Sequence, residues 1–302
     1  MTRHVAVLMG GWSAEREVSL VTGSLVCRAL QDAGYRVTAI DVQRDVGALL
    51  TRLYPKPDAV FNALHGRYGE DGCMQGLLDI LEIPYTHSGL LASALAMDKP
   101  MAKRLFAAEG LPVAEHQILE RGQFSAADVM PAPYVVKPLN EGSSIGVEIV
   151  REGSNAAPLS GDNWPYPSRK IMVEPFIDGR ELTVAVMGDR ALTVTEIKTG
   201  RTFYDYDAKY AAGGSQHEVP AQVTAEVFDT AMDYALRAHN VLGCRGVSRA
   251  DFRYDGETVY ILEVNTQPGL TPTSLVPEQA AHLGMPFQDL MVWMVENAEY
   301  GP

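Results

Sequence analysis

Short apolar runs alternate with longer amphipathic stretches over the first third of the chain. The run at residues 4–9 has the length of a buried strand, and a Gly-Gly turn at 10–11 leads from it into a pattern with helical spacing. The other elements predicted here are strands at 36–40 and 59–62 and helices at 71–81 and 88–96. This alternation predicts a small parallel α/β domain over residues 1–96.

The first helix has both a start signal and a stop signal. Ser13 is a residue type that caps helix N-termini, and Gly34 is a residue type that ends helices. The positions that helical spacing predicts to be buried are Val18, Val21, Leu25 and Ala29.

The remaining two thirds of the chain are richer in strand signals. A helix is predicted at 101–109, and the stretch 153–168, which contains three prolines and two glycines, is predicted to be a loop. The predicted strands lie at 134–137, 146–150, 170–174, 181–187, 191–197, 246–254 and 258–264, and the further helices at 225–242, 279–283 and 287–297. We predict a central lobe at 97–176 and a C-terminal lobe at 177–302.

The strongest chemical signal is a polar cluster on two consecutive strands. Glu263 and Asn265 share one face of their strand, because side chains alternate, and they offer hard oxygen ligands suited to Mg²⁺. Asp251 on the preceding strand joins that face only if the loop around Asp255 and Gly256 has an odd number of residues, so an odd-length loop is predicted. The alternative is an acidic hairpin that faces solvent.

A glycine- and serine-rich loop follows Lys137 and ends at Gly146. Such a loop can fold over phosphates with its backbone N–H groups, while the lysine supplies a point charge. The chain has neither a P-loop of the Walker type nor a GxGxxG motif, so a nucleotide site here would be of another kind. An ordinary hairpin loop is the alternative.

The same loop also matches the G-x-S-x-G pattern of serine hydrolases. Ser144 would be the nucleophile, with Asp251 and His282 as partners in chain order. A nucleophile elbow runs from strand to helix, whereas the residues after this loop have a strand pattern, which argues against a hydrolase.

Three further features have a structural and a functional interpretation each. Glu15 lies in a first helical turn, where an acid complements the helix dipole, but it would also bind a substrate ammonium group at the end of a parallel sheet. His65 lies in a polar turn. The segment 203–214, with three tyrosines and two glycines, would form either a surface Ω-loop or a lid that excludes water.

Charge and cysteine content exclude several classes of function. The chain has 25 basic and 38 acidic residues and a net charge of −13, which disfavours binding to nucleic acid or to an anionic membrane. The three cysteines show no disulfide or zinc spacing. Neither a signal peptide nor a run of about 20 apolar residues is recognised. A cytoplasmic protein with no membrane partner is expected.

Six segments, taken together and in order, resemble the D-alanyl-D-alanine ligase family of the ATP-grasp superfamily. The resemblance implies an N-terminal parallel α/β domain followed by a two-lobed ATP-grasp fold, in α/β and α+β classes. The segments are GGWSAEREVS at 10–19, LHGR with GEDG at 64–72, MDK at 97–99, EGSSIG at 141–146, the tyrosine-rich stretch 203–210 and EVNTQPG at 263–269.

The resemblance implies ATP-dependent formation of D-alanyl-D-alanine, a peptidoglycan precursor, through an acyl phosphate. It assigns the nucleotide to Lys99, Lys137, Ser144, Glu174, Glu181 and Lys209, and two Mg²⁺ or Mn²⁺ ions to Asp251, Glu263 and Asn265. It assigns the D-alanine substrates to Glu15, His65, Lys209, Ser274 and Leu275. Ser143 and Tyr210 would brace Glu15, and Arg249 with the backbone N–H of Gly269 would stabilise the oxyanion.

The family resemblance also implies a homodimer. A related ligase with another acceptor, such as D-lactate, is the alternative, although the Lys209-Tyr210 pair resembles the dipeptide-forming branch. Gln267 and Pro175 depart from residues that many relatives have at these positions.

Overall fold

The computed structural model describes residues 2–120, 129–140, 142, 146–153, 170–199, 215–271 and 273–301. Within them the strands form one parallel sheet near the N-terminus and two antiparallel sheets after it. This order agrees with the prediction of a parallel α/β domain followed by two lobes rich in strands. None of the helices in these ranges combines the length and apolar character that a membrane crossing requires.

The parallel sheet has the order β2-β1-β3, and β1 is buried on both faces. Its strands are β1 (His4–Gly10), β2 (Arg36–Val42) and β3 (Ala59–Asn62), and its helices are α1 (Arg16–Asp32), α2 (Val46–Arg52), α3 (Cys73–Ile80) and α4 (Leu90–Met97). Val5 and Val7 of β1 belong to the core beside α1, while Ala6 and Leu8 belong to a second core on the other face. Burial on both faces explains the continuous apolar run. The helix α2 was not predicted.

The predicted apolar face of α1 is buried at Ala29, partly buried at Val18 and Leu25, and wrong at Val21. Val21 is 54% exposed, and the buried positions are Ser19, Thr22, Gly23, Val26, Cys27, Ala29 and Leu30. Small residues face the sheet because helix and strand approach closely, and a Cβ at Gly23 would lie 2.5 Å from the Cβ of Met9. Ser13 does not cap the helix, since the side chain at the N-cap position, Glu15, makes no capping bond and Ser13 Oγ donates instead to His65 O.

The central lobe carries a four-stranded antiparallel sheet of order β4-β7-β5-β6. The helix α5 (Lys99–Ala108) precedes it, and its strands are β4 (Gln117–Glu120), β5 (Tyr134–Pro138), β6 (Glu148–Val150) and β7 (Lys170–Pro175). The edge strand β4 was not predicted. Apart from Gly153, the predicted loop at 153–168 lies outside the described residues.

The C-terminal sheet has five antiparallel strands in the order β10-β9-β8-β11-β12. They are β8 (Arg180–Met187), β9 (Arg190–Lys198), β10 (Gln216–Glu218), β11 (Val247–Tyr254) and β12 (Val259–Asn265), and the helices are α6 (Ala225–Val241), α7 (Leu275–His282) and α8 (Phe287–Glu296). The strand β10 was not predicted. One face packs on α6, and the other joins a core shared with β1 and α1.

The helix α7 begins earlier than predicted. It starts at Leu275 and includes Pro277 in its first turn. Proline is tolerated there because the first N–H groups of a helix have no intrahelical acceptor. The helix therefore begins directly after Ser274, its N-cap residue.

Candidate active site

The hairpin of β11 and β12 places Asp251 directly opposite Glu263, so the two carboxylates share one face, as predicted. The reason given for it is wrong, because the loop between the strands has four residues, 255–258, rather than an odd number. A β-bulge after Asp251 restores the pairing, since Asp251 pairs with Glu263 while Phe252 pairs with Ile261, which leaves Leu262 as the extra residue.

Asp251 lies in a dense set of donors. Its carboxylate accepts hydrogen bonds from Arg249 Nε at 2.8 Å and Nη2 at 2.7 Å, from Thr183 Oγ1 at 2.7 Å and from Asn265 Nδ2 at 2.9 Å. Only 9% of Asp251 is exposed. The hairpin is therefore not the solvent-facing acidic surface that was the alternative interpretation.

Lys99 brings a second cation to the same hairpin. Its Nζ lies 3.6 Å from Glu263 Oε2, and its backbone N–H donates to Leu139 O just after β5. Asp98 caps the helix that carries Lys99 by accepting the N–H of Met101. The start of α5 thus connects the central sheet to the acidic hairpin, and a cleft between them is lined by Glu70, Met97, Lys99, Gly142, Glu263 and Asn265.

The donors on this hairpin fit a divalent cation. Asp251 and Glu263 supply carboxylate oxygens, and Asn265 directs its amide nitrogen at Asp251, which leaves its amide oxygen available as a further ligand. Over the described residues, no group of three or more His, Cys, Asp and Glu side chains has metal-binding geometry. A metal on this hairpin would therefore use two carboxylates and one amide, with other ligands from a substrate or water.

A second charged cluster lies in the central lobe. Glu174 on β7 forms ion pairs with Lys137 of β5 through one carboxylate oxygen and with Lys103 of α5 through the other. All three are buried, with Lys103 only 2% exposed. Burial alone would raise the pKa of Glu174, but the two lysines outweigh burial and lower the pKa to about 2.

Sequence reasoning missed Lys103. A signal for it existed, because Lys103 follows Lys99 by four residues on a predicted helix, and residues four apart lie on the same helix face. A buried position for a second lysine could not be read from the pattern alone.

Replacing Glu174 with Gln should destabilise the protein by about 3 kcal/mol near neutral pH, the equivalent of lowering a carboxyl pKa from 4.5 to about 2. Because the folded-state pKa is depressed, this contribution is complete above about pH 4.5 and is lost as the pH falls toward 2. Urea unfolding of the wild type and the variant between pH 7 and pH 3 measures it, with the exposed Glu115→Gln as control. A difference in stability independent of pH would contradict the ion-pair explanation.

Glu15 and His65 approach each other across a tight turn. Glu15 is 5% exposed, and a Cβ at Gly66 would lie 3.0 Å from Glu15 Oε2, at a φ of +69° that favours glycine. His65 Nδ1 lies 3.9 Å from Glu70 Oε2. Burial opposes protonation of His65, yet the carboxylates of Glu70 and Glu15 prevail and raise its pKa. Glu15 therefore interacts electrostatically with His65, in addition to any effect on the helix dipole.

A buried amide cluster holds the turn that carries His65 against the end of β12. Gln267 donates to Leu64 O and accepts from Asn62 Nδ2 at 3.0 Å, and Gln75 Nε2 lies 3.4 Å from the same Gln267 oxygen. Asn62 and Gln75 also both donate to Gly69 O at 3.0 Å. Gln267 therefore joins the N-terminal sheet to the end of β12.

Gln267→Ala should lower the free energy of unfolding by about 1–3 kcal/mol, because it leaves a buried donor of Asn62 and the Leu64 carbonyl without their partner. Urea unfolding at pH 7 measures the loss, with the exposed Gln222→Ala as the control expected to match the wild type. Equal stability of the two variants would show that the amide cluster is not a structural link.

Gly269 and Ser274 lie side by side after β12. A Cβ on Gly269 would lie 3.3 Å from Ser274 Oγ, and this hydroxyl accepts the N–H of Thr271 at 3.0 Å. Leu275, 4% exposed, packs with Ile197 of β9. Ser274 is the N-cap residue of α7 and Leu275 is its first residue.

Other predicted residues are placed apart from this cluster or are not described. Glu181 of β8 pairs with Arg253 Nη2 at 3.1 Å, farther along β11 than Asp251. Ser143, Ser144, Lys209 and Tyr210, with the predicted lid, lie outside the described residues. The hydrolase alternative fails on its local fold, because the strand β6 follows the loop where a nucleophile elbow needs a helix.

Comparison with known proteins gives one consistent result. The profile of the D-ala D-ala ligase C-terminus matches residues 105–296, and that of the D-ala D-ala ligase N-terminus matches residues 49–88. The chain is 60% identical over 300 residues to the D-alanine–D-alanine ligase of Rhodospirillum rubrum, covering 99% of both chains. It is 58% identical over 298 residues to that of Acidiphilium cryptum, covering 98% of both.

A solved structure supports the same assignment. The chain resembles the crystal structure of a D-alanine–D-alanine ligase from Bacillus anthracis complexed with ATP, with a TM-score of 0.83 and 30% identity, covering 98% of this chain and 97% of that one. The predicted architecture of a parallel α/β domain followed by a two-lobed ATP-grasp fold is thereby confirmed. The chain belongs to the D-alanine–D-alanine ligase family.

Proposed function

We propose that the protein joins two D-alanine molecules in an ATP-dependent reaction that activates the first carboxylate as an acyl phosphate. The main support is the 60% identity to a D-alanine–D-alanine ligase over the whole chain. The hairpin of Arg249, Asp251 and Glu263, with Lys99 beside it, supplies charges suited to phosphoryl transfer. The product would serve peptidoglycan precursor synthesis.

A carboxylate is a poor electrophile, so the reaction first needs transfer of the γ-phosphoryl group to D-alanine. Lys99 and Lys137, and Lys209 of the lid segment, would bear the charge of the phosphates. Ser144 would contribute a donor from the glycine loop. Glu174 and Glu181 would hold the adenine and ribose, and both are already fixed by cationic partners in the two lobes.

Asp251, Glu263 and Asn265 would hold two Mg²⁺ or Mn²⁺ ions. When bound, such ions neutralise developing charge on the phosphates. In the protein alone, Arg249 pairs with Asp251 and Lys99 lies beside Glu263. These cations offset the negative charges of the two carboxylates, and the nucleotide and its metal ions would take over that role when they bind.

The first D-alanine would be held by Glu15 through its ammonium group, with His65 beside it. Support comes from the burial of Glu15 at the carboxyl end of the parallel sheet, where α/β domains bind ligands. Ser143 and Tyr210 would brace Glu15 across the closed site. The lid segment 203–214 would exclude water, which otherwise hydrolyses the acyl phosphate.

The second D-alanine would be received by Ser274 and Leu275 at the start of α7. Its attack generates an oxyanion, for which Arg249 and the backbone N–H of Gly269 are the proposed donors. The adjacency of Gly269 and Ser274 supports this arrangement, because acceptor and oxyanion must lie within one reacting distance.

Three further proposals concern organisation. The domains would span residues 1–96, 97–176 and 177–302. A homodimer is proposed from the family, and exposed apolar side chains on α3 and α4, such as Ile80 at 81% and Leu91 at 67%, provide a surface for it. A cytosolic location is proposed because the substrate is ATP and because Cys27, Cys73 and Cys244 are free thiols.

The decisive experiment is phosphate release by the purified chain with ATP and Mg²⁺, measured with D-alanine, with D-alanine plus D-lactate, and with neither. Release that requires D-alanine and yields the dipeptide by mass is expected. An ester product would show that D-lactate is the acceptor. Phosphate release that does not depend on D-alanine would refute the proposed substrate. If the metal proposal holds, replacing Mg²⁺ with a chelator should abolish turnover.

A further inference from the structure

We infer that Lys103 is a positioning residue that holds Glu174, so that Lys137 is able to leave Glu174 and bind the phosphates of the nucleotide. This inference deepens the proposed function and rests on it. It concerns a residue that touches neither the acidic hairpin nor the D-alanine residues.

The geometry gives each lysine its own oxygen. Lys103 contacts Glu174 Oε2 and Lys137 contacts Glu174 Oε1, so the two ion pairs do not compete for one atom. Lys103 comes from α5 and the other two from the β5–β7 pair, where Val135 lies opposite Glu174 and Lys137 follows on the same face. Departure of Lys137 would leave the contact between Lys103 and Glu174 intact.

The charges explain why a second lysine is needed. Glu174 is 4% exposed, and a buried carboxylate that loses its cation is strongly unfavourable. Two lysines and one glutamate leave the cluster with one net positive charge. With Lys103 in place, Lys137 moves to a phosphate without leaving an uncompensated carboxylate behind. Without Lys103, the departure of Lys137 to the phosphates would leave the Glu174 carboxylate with neither lysine.

Lys103 and Lys99 lie on the same helix but form ion pairs with different carboxylates. Both lie on the inward face of α5, but Lys99 reaches Glu263 of the hairpin whereas Lys103 reaches Glu174 of the central sheet. Lys103 is 2% exposed and Lys137 is 8% exposed. The burial of Lys103 suits a fixed counter-ion, and the neighbouring Lys137 is the one that changes partner.

The test compares the dissociation constants of ATP and of adenosine, which lacks phosphates, by calorimetry in the absence of D-alanine. Lys103→Met should weaken ATP binding by roughly tenfold more than it weakens adenosine binding, because only ATP requires Lys137 to leave Glu174. The matched control Arg104→Met removes an exposed charge from the same helix and should leave both constants as in the wild type. Equal weakening of ATP and adenosine would overturn the inference, because it would indicate general damage to the site.

The double variant Lys103→Met with Glu174→Gln keeps the inference testable if Lys103→Met does not fold. Removing the carboxylate removes the need for a counter-ion, so the double variant should bind ATP as the single variant Glu174→Gln does. ATP binding that is clearly weaker in the double variant than in Glu174→Gln alone would refute the inference. Since these measurements omit D-alanine, a wild-type protein that fails to make the dipeptide would refute the proposed function separately.

Discussion

Replacing Arg249 with Ala should lower kcat by about 100- to 1,000-fold, the typical effect of removing one oxyanion donor, while the dissociation constant of ATP changes little. The reason is that the guanidinium would stabilise charge that develops only during attack on the acyl phosphate. Steady-state kinetics and nucleotide titration measure the two quantities. Arg249→Lys should also be defective, because an ammonium group does not reproduce the two hydrogen bonds to Asp251.

A matched control for Arg249 exists in the same sheet. Arg180 of β8 makes a comparable two-bond pair with Glu196, at 2.8 and 2.6 Å, outside the candidate site. Arg180→Ala should therefore leave kcat unchanged. If Arg249→Ala weakens ATP binding as much as it lowers kcat, the arginine acts on the nucleotide or the metal ligands rather than on the oxyanion.

Glu15→Gln should raise the KM for D-alanine on the order of 100-fold, because a buried charged hydrogen bond to the substrate ammonium group is lost. The amide is isosteric, so the fold and ATP affinity should be retained. D-alanine saturation kinetics at fixed ATP give the measurement. Glu15 is 5% exposed, so an ammonium group beside it would interact with the carboxylate with little screening by water.

Glu17 serves as the control for Glu15. It lies in the first turn of the same helix but is exposed, so Glu17→Gln should change only the helix-dipole interaction, worth a few tenths of a kcal/mol. Similar KM values for both variants would assign Glu15 to helix stability alone and remove it from the substrate site.

Several features of the fold followed from local pattern. The strand β1 was predicted from a continuous apolar run, because a parallel strand buried on both faces needs apolar residues throughout. The helix α6 was predicted within one residue, since its spacing and its Thr224 cap agree. The helix α1 shows the limit of such reasoning, because packing through Gly23 on Met9 selects small residues for the buried face.

The hairpin shows a different limit. The shared face of Asp251 and Glu263 was predicted from their chemistry, yet the loop length expected to produce it was wrong. A bulge and a four-residue loop together place the two carboxylates on one face, as an odd-length loop without a bulge would. Sequence periodicity does not distinguish these cases, because the bulge depends on the sheet around it.

By itself the sequence determined the family, the order of the motifs, the alternation of helices and strands, and the residue types available for the chemistry, since these depend on local pattern and on linear spacing. Only the tertiary structure decided which charges are buried together: Lys103 with Glu174 and Lys137, Arg249 with Asp251, and Gln267 with Asn62. Such contacts depend on distances through space between segments far apart in the chain. Ion pairs are strong where water is excluded, and exclusion of water is a property of the packed molecule.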